Sequence, residues 1–104
     1  MGYNSAMLNL TPAQRRFLRA LAHSLRPIVM IGNAGLTEAV KKEIHSSLRH
    51  HELMKIKVDG DDSEARNKML VAICDEANAV PVQQIGKILV IYRPTDQPKI
   101  SLLA

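Results

Sequence analysis

Apolar residues change their period several times along this chain, and each change marks an element. Residues 1–9 show no period and are expected to form a flexible N-terminus. Thr11-Pro12-Ala13-Gln14 then carries the marks of a helix start: a hydroxyl at the N-cap, proline at the first helical position, and a glutamine three residues on that can bond back to the cap. Phe17, Leu18, Leu21 and Leu25 recur at helical spacing and predict a buried stripe, with Arg15, Arg16 and Arg19 largely off it; Pro27 is expected to end the helix. Ile28-Val29-Met30-Ile31 is apolar on both faces, the pattern of a buried, central strand. After Gly32–Gly35, Thr37 can cap a second helix, with Glu38 in its first turn and Val40, Ile44 and Leu48 along one stripe.

Leu53–Val58 alternates: Met54, Ile56 and Val58 face one way, Lys55 and Lys57 the other, and the lysine face is expected to be partly open to water. Asp59-Gly60-Asp61-Asp62 is a turn, and Ser63 is the expected cap of a third helix with Ala65, Met69, Ala72 and Ile73 as its core stripe, extended by Cys74 and Ala77. Asn78 is its expected terminator. Val80–Ile85 and Ile88–Tyr92 read as a hairpin around Gly86-Lys87. The order α-β-α-β-α-β-β predicts a single α/β domain over residues 10–94, a mixed four-stranded sheet packed with helices, followed by a polar C-terminal tail at 95–104. Strand–helix–strand units imply parallel neighbours, and the final hairpin one antiparallel pair.

Composition agrees with one folded unit: 104 residues, 46% hydrophobic and 23% charged. No apolar run reaches the roughly 20 residues that span a bilayer, and the start lacks the pattern of a secretory signal, so no membrane partner is expected. A lone cysteine, Cys74, allows no intrachain disulfide and fits a cytoplasmic location. The net charge of +4 is unevenly placed. Residues 1–51 hold seven basic side chains against two acidic ones, while residues 52–64 hold five acidic against two basic. That asymmetry points to an anionic partner such as nucleic acid.

Catalytic constellations are missing from the sequence. It has no nucleophile elbow, no phosphate loop ending in Gly-Lys-Ser/Thr and no dinucleotide fingerprint. Glu38 and Glu43 lie five apart on one helix and so on different faces; Cys74 falls among apolar residues as a small core side chain. His50 and His51 diverge by about 100° on a helix and do not grip one metal. The chain is therefore expected to be neither an enzyme nor a metal or cofactor protein.

What remains is Gly32-Asn33-Ala34-Gly35, a glycine-bounded loop before a helix N-terminus. Such a loop lets a phosphate backbone approach without meeting a Cβ, and the first helical N–H groups favour negative charge. The bland reading is a tight turn. Lys41 and Lys42 follow one to two helical turns later, and Arg15, Arg16, Arg19, Lys55, Lys57 and Lys87 add positive field. With only Tyr3, Phe17 and Tyr92 as aromatics, and Phe17 expected in the core, base stacking on aromatic rings is a poor model. Recognition of backbone and shape in folded RNA is a better one.

Taken in order, Leu-Thr before a basic helix, Gly-x-x-Gly between strand and helix, His51-Glu52-Leu53 before a lysine-bearing strand, Ile85-Gly86-Lys87 and Tyr92-Arg93-Pro94 resemble the bacterial YhbY-like family of stand-alone CRM domains. The resemblance runs from about Leu8 to Pro94. It implies an RNA-binding module with a fold like the C-terminal domain of translation initiation factor three. It also implies association with precursors of the large ribosomal subunit, and carries the family's loop onto Gly32, Asn33, Ala34 and Gly35. Related domains act in intron splicing in plant organelles. Residues and resemblance together lead to a non-catalytic binder of ribosomal RNA that aids assembly. The alternative is a protein-binding adaptor whose basic surface meets an acidic partner. No exposed apolar stripe is read, so a monomer is expected.

Overall fold

A computed structural model describes residues 9–102, so the flexible start expected at 1–9 lies, but for Asn9, outside the described residues. The elements follow the expected order: α1 (Pro12–Ala22), β1 (Pro27–Ile31), α2 (Glu38–His50), β2 (Leu53–Val58), α3 (Ser63–Ala77), β3 (Val80–Ile85) and β4 (Ile88–Tyr92). One mixed sheet holds all four strands in the order β1-β2-β4-β3. β1 is parallel to β2, as a strand–helix–strand unit requires. α3 carries the chain past the neighbouring position to β3, and the hairpin then returns β4 into the gap, so the hairpin creates two antiparallel pairings rather than the expected one. Gly86, at φ +56°, makes the return possible.

Alternation along the strands divides the apolar side chains between two faces. Val29, Ile31, Met54, Ile56, Leu89 and Ile91 pack under α2 and α3 as the main core. Leu53, Val82, Val90 and Tyr92 pack under Leu18 and Ala22 of α1 as a smaller one. Each Leu, Ile or Val fully buried in this way contributes about 1.5–3 kcal/mol.

Local chemistry explains the helix ends. Thr11 Oγ1 accepts from Gln14 N–H at 3.0 Å and Gln14 Oε1 accepts from Thr11 N–H at 3.0 Å, the reciprocal box predicted. Thr37 Oγ1 accepts from Val40 N–H at 3.2 Å. The third helix departs from expectation: Asp62, not Ser63, is its cap, its carboxylate accepting from Glu64 and Ala65 N–H at 3.0 and 3.2 Å. A carboxylate in that place also meets the positive end of the helix dipole. Its core stripe is Arg66, Leu70, Ile73, Cys74 and Ala77, with Met69 partly buried, whereas Ala65 and Ala72 are exposed. Buried Arg66 reaches back to Gly60 O at 2.7 Å. Asn78, at φ +53°, terminates the helix as predicted, and Arg93 Nη1 donates to Ala77 O at 2.9 Å, supplying the cation that the last turn of α3 lacks.

Three further expectations are corrected. β1 is an edge strand, and Met30 is 64% exposed because no helix covers its side of the sheet there. α1 ends at Ala22, several residues before Pro27. Of the predicted stripe only Leu18 is buried, and Ala22 joins it. Phe17, Leu21 and Leu25 instead form an exposed apolar flank, with Phe17 45% exposed, so the reason given for a monomer fails and Phe17 is not core.

The C-terminal segment has no regular structure, yet it docks on the smaller core. Glu52 Oε1 accepts from the N–H groups of Lys99 and Ile100, the latter at 3.2 Å, and Gln14 Nε2 donates to Leu102 O at 3.2 Å. Ile100 and Leu102 pack against that core.

Candidate nucleic-acid interface

β1 ends at Ile31 and the chain turns at once: Gly35 N–H donates to Gly32 O at 3.0 Å, and Thr37 N–H to Gly35 O at 3.0 Å. Gly32, Asn33 and Ala34 are exposed at the tip. The two glycines have different reasons to be there. Gly35 has φ +75°, a conformation that L side chains rarely adopt. Gly32 lies outside that region, and a Cβ built on it would meet none of the described residues within 4 Å. Turn geometry therefore accounts for Gly35 but not for Gly32. Behind the loop, the first N–H groups of α2 precede any intrahelical bond and form its positive end.

Lys57, on β2, stands directly opposite Met30, two residues before the loop. One row further from the loop, Lys55 sends Nζ to Leu25 O at 3.0 Å. Lys55 also lines a cleft of about 370 Å³ between α1 and the sheet, with Arg16, Arg19, His23, Gln83 and Ile85. Arg16, Arg19 and His23 follow helical spacing, so the sequence could have yielded His23 as a member of the arginine face. Arg16, Arg19 and Lys57 are exposed and make no hydrogen bond or ion pair among the described residues.

The other predicted cations are placed differently. Arg15 Nη1 donates to Pro81 O and, at 3.4 Å, to Val82 O, holding α1 against the irregular stretch of β3. Lys41 and Lys42 ride on α2, across the sheet from the arginine cleft; Lys41 is paired with Glu38 at 3.5 Å and Lys42 is exposed. Lys87, in the hairpin turn, lies 3.8 Å from Asp61 of the acidic turn. Asp59 N–H donates to Ile31 O at 2.9 Å, which brings that turn beside the loop and leaves the α1 side as the positive way out.

A second basic hollow, of about 720 Å³, was not foreseen. It lies at the other end of the strands, lined by Arg49, Arg93, Lys99, Asn78 and the segment Pro94–Gln97, Asp96 included. Burial, and then the charge of Arg49, lower the pKa of Arg93 from its ordinary value. Burial, and then Asp75, push the Cys74 thiol up to about 12, so it is protonated at neutral pH. Among the described residues, no group of three or more His, Cys, Asp or Glu side chains is placed to hold a metal, and no helix is long and apolar enough to cross a membrane.

Comparison with known proteins gives this arrangement a family. The CRS1 / YhbY (CRM) domain pattern matches residues 10–93. The chain belongs to the CRM-domain family. A Haemophilus influenzae relative named RNA-binding protein is 50% identical over 96 residues, covering 92% of this chain and 97% of the relative. The probable RNA-binding protein YqeI of Bacillus subtilis is 34% identical over 90 residues, covering 86% and 94%. Among solved structures, the solution structure of Staphylococcus aureus SAV1595, described as a candidate RNA-binding protein, superposes with a TM-score of 0.79. It is 34% identical and is matched over 88% of this chain and 95% of its own. The expected YhbY-like membership and the α/β fold are thus both found in this CRM domain.

Proposed function

We propose that this CRM domain binds RNA without catalysing a reaction on it, and that its target in the cytoplasm is ribosomal RNA in precursors of the large subunit. The observation that carries the reading is Gly32: a glycine at an exposed loop tip where neither backbone conformation nor packing calls for one. Something outside the fold is then what a side chain would obstruct. A phosphate backbone fits, because the loop leads into a helix N-terminus and lies beside Lys57, with the Arg16–Arg19 cleft on the same face of the sheet. The relatives' names as RNA-binding proteins support the same reading.

The ribosomal target is tested by sedimenting tagged protein from lysate through a sucrose gradient at low magnesium. It should migrate with particles at or just below the large subunit, and ribonuclease should release it. A protein that stays at the top at low salt does not act on those particles. One whose migration ignores ribonuclease is held by protein contacts, as an adaptor would be.

A further inference from the structure

One cross-strand row spans the whole sheet beside the loop. Met30 on β1 faces Lys57 on β2, Lys57 faces Ile88 on β4, and Ile88 faces Ile85 on β3. Residues directly opposite one another share a face, here the face that carries α1. α1 covers the far end of that face, where Leu53 and Tyr92 are buried, but leaves this row open: Met30 is 64% and Ile85 58% exposed, and Lys57 is exposed between them. The row begins two residues before Gly32, and Ile85 at its other end lines the Arg16–Arg19 cleft. It therefore joins the two positively charged features of the proposed interface.

We propose that this row is a platform for the faces of unpaired RNA bases, so that the site selects single-stranded or looped-out RNA over duplex. The proposal rests on the RNA-binding reading and adds the class of RNA. Strands about 4.8 Å apart make the row roughly 14 Å across, room for two bases laid side by side. The aliphatic side chains of Met30, Ile88 and Ile85 accept base faces by van der Waals contact, and Lys57 in their midst meets a phosphate or a base carbonyl. A duplex cannot use the platform, because its base faces are covered by their neighbours in the stack. The acidic turn at Asp59–Asp62 blocks the alternative exit from the loop with like charge, so the phosphates follow the row toward Arg19.

The test compares an unpaired oligouridine with a blunt RNA duplex of the same number of phosphates, using the full chain and the double variant Met30→Thr, Ile85→Thr. Threonine keeps strand propensity and removes the apolar faces. The variant should lose about tenfold in affinity for oligouridine, the scale expected from the apolar contact area removed, and keep its affinity for duplex. Equal effects on both RNAs, or none on either, overturn the platform and leave RNA binding standing. If the unaltered protein binds neither RNA, the RNA-binding reading falls and the platform with it. Should the variant not fold, photo-crosslinking of thiouridine-substituted RNA to the unaltered protein decides: adducts at Met30, Lys57 or Ile85 support the platform, and adducts confined to other residues overturn it.

Discussion

Gly35 donates its N–H to the carbonyl of Gly32 at 3.0 Å, yet only Gly35 has the positive φ that its turn requires. The two residues should therefore separate fold from binding. Gly32→Ala should leave stability unchanged or raise it by up to about 1 kcal/mol, because it restrains the unfolded chain without strain in the fold. Gly35→Ala should cost about 1–2 kcal/mol for its left-handed backbone. Gly32→Asp should leave the urea midpoint within error and weaken RNA binding at least about tenfold, an electrostatic cost near 1.4 kcal/mol. Unfolding of the Gly32 variants, rather than loss of binding, would return the loop to a mere turn.

The three arginines of α1 should behave differently despite their proximity. Arg16→Gln and Arg19→Gln should each lower the slope of log affinity against log salt by roughly 0.7 to 0.9 if one phosphate contact is lost. Neither should move the melting temperature. Arg15→Gln should destabilise by about 1 kcal/mol, since its guanidinium holds the carbonyls of Pro81 and Val82. A salt slope untouched by either Arg16 or Arg19 substitution would remove the cleft from the interface.

Glu52 is 6% exposed and receives two backbone N–H groups from the C-terminal segment, while its Oε2 has no hydrogen-bond partner among the described residues. Replacing it with alanine should cost about 2 kcal/mol, within the range for hydrogen bonds to a charged group. It should also release the segment, read as faster tryptic cleavage after Lys99. Unchanged cleavage would mean that Ile100 and Leu102 hold the segment by packing alone.

The Cys74 thiol ionises at 9.0 when unperturbed and near 12 in the fold. Below pH 9.0 it is protonated in both states and its contribution is fully present. Between 9.0 and about 12 the unfolded chain loses the proton while the fold retains it, so stability falls as pH rises, by up to about 1.4 kcal/mol per pH unit. Denaturation of Cys74→Ala in the same buffers should show a shallower alkaline fall. Parallel curves for the two proteins would exclude the thiol as the cause.

Local signals were read from the sequence with little loss. Thr11 with Gln14, Thr37, Asn78 and the alternation of Leu53–Val58 depend on neighbours a few residues away, and each stands as expected. The errors concern what lies across the fold. Ile28–Ile31 reads as a buried strand because apolarity records both faces, but whether α1 covers Met30 depends on where α1 ends. On α1, Phe17 and Leu18 both satisfy the helical period, and only packing across the fold makes Leu18 core and leaves Phe17 exposed. At the site, the loop and the cations were legible as residue types. That Arg15 and Lys41 are engaged while Arg16, Arg19 and Lys57 are open was not, because those partners come from distant elements or from side-chain geometry. Ile85 and Met30 gave no signal, since an exposed apolar strand residue looks like a buried one until its cover is known.

β4, the last strand in the chain, lies inside the sheet between β2 and β3. A growing chain that has reached Ile85 has β1, β2 and all three helices, but β3 has no partner and β2 only one. The sheet closes when Ile88–Tyr92 has left the synthetic machinery. Until then the row beside the loop lacks Ile88, and the loop and arginine cleft have no common frame. The proposed binding surface is thus completed in one step, when β4 enters the sheet, and a fragment that stops at Ile85 should not present it.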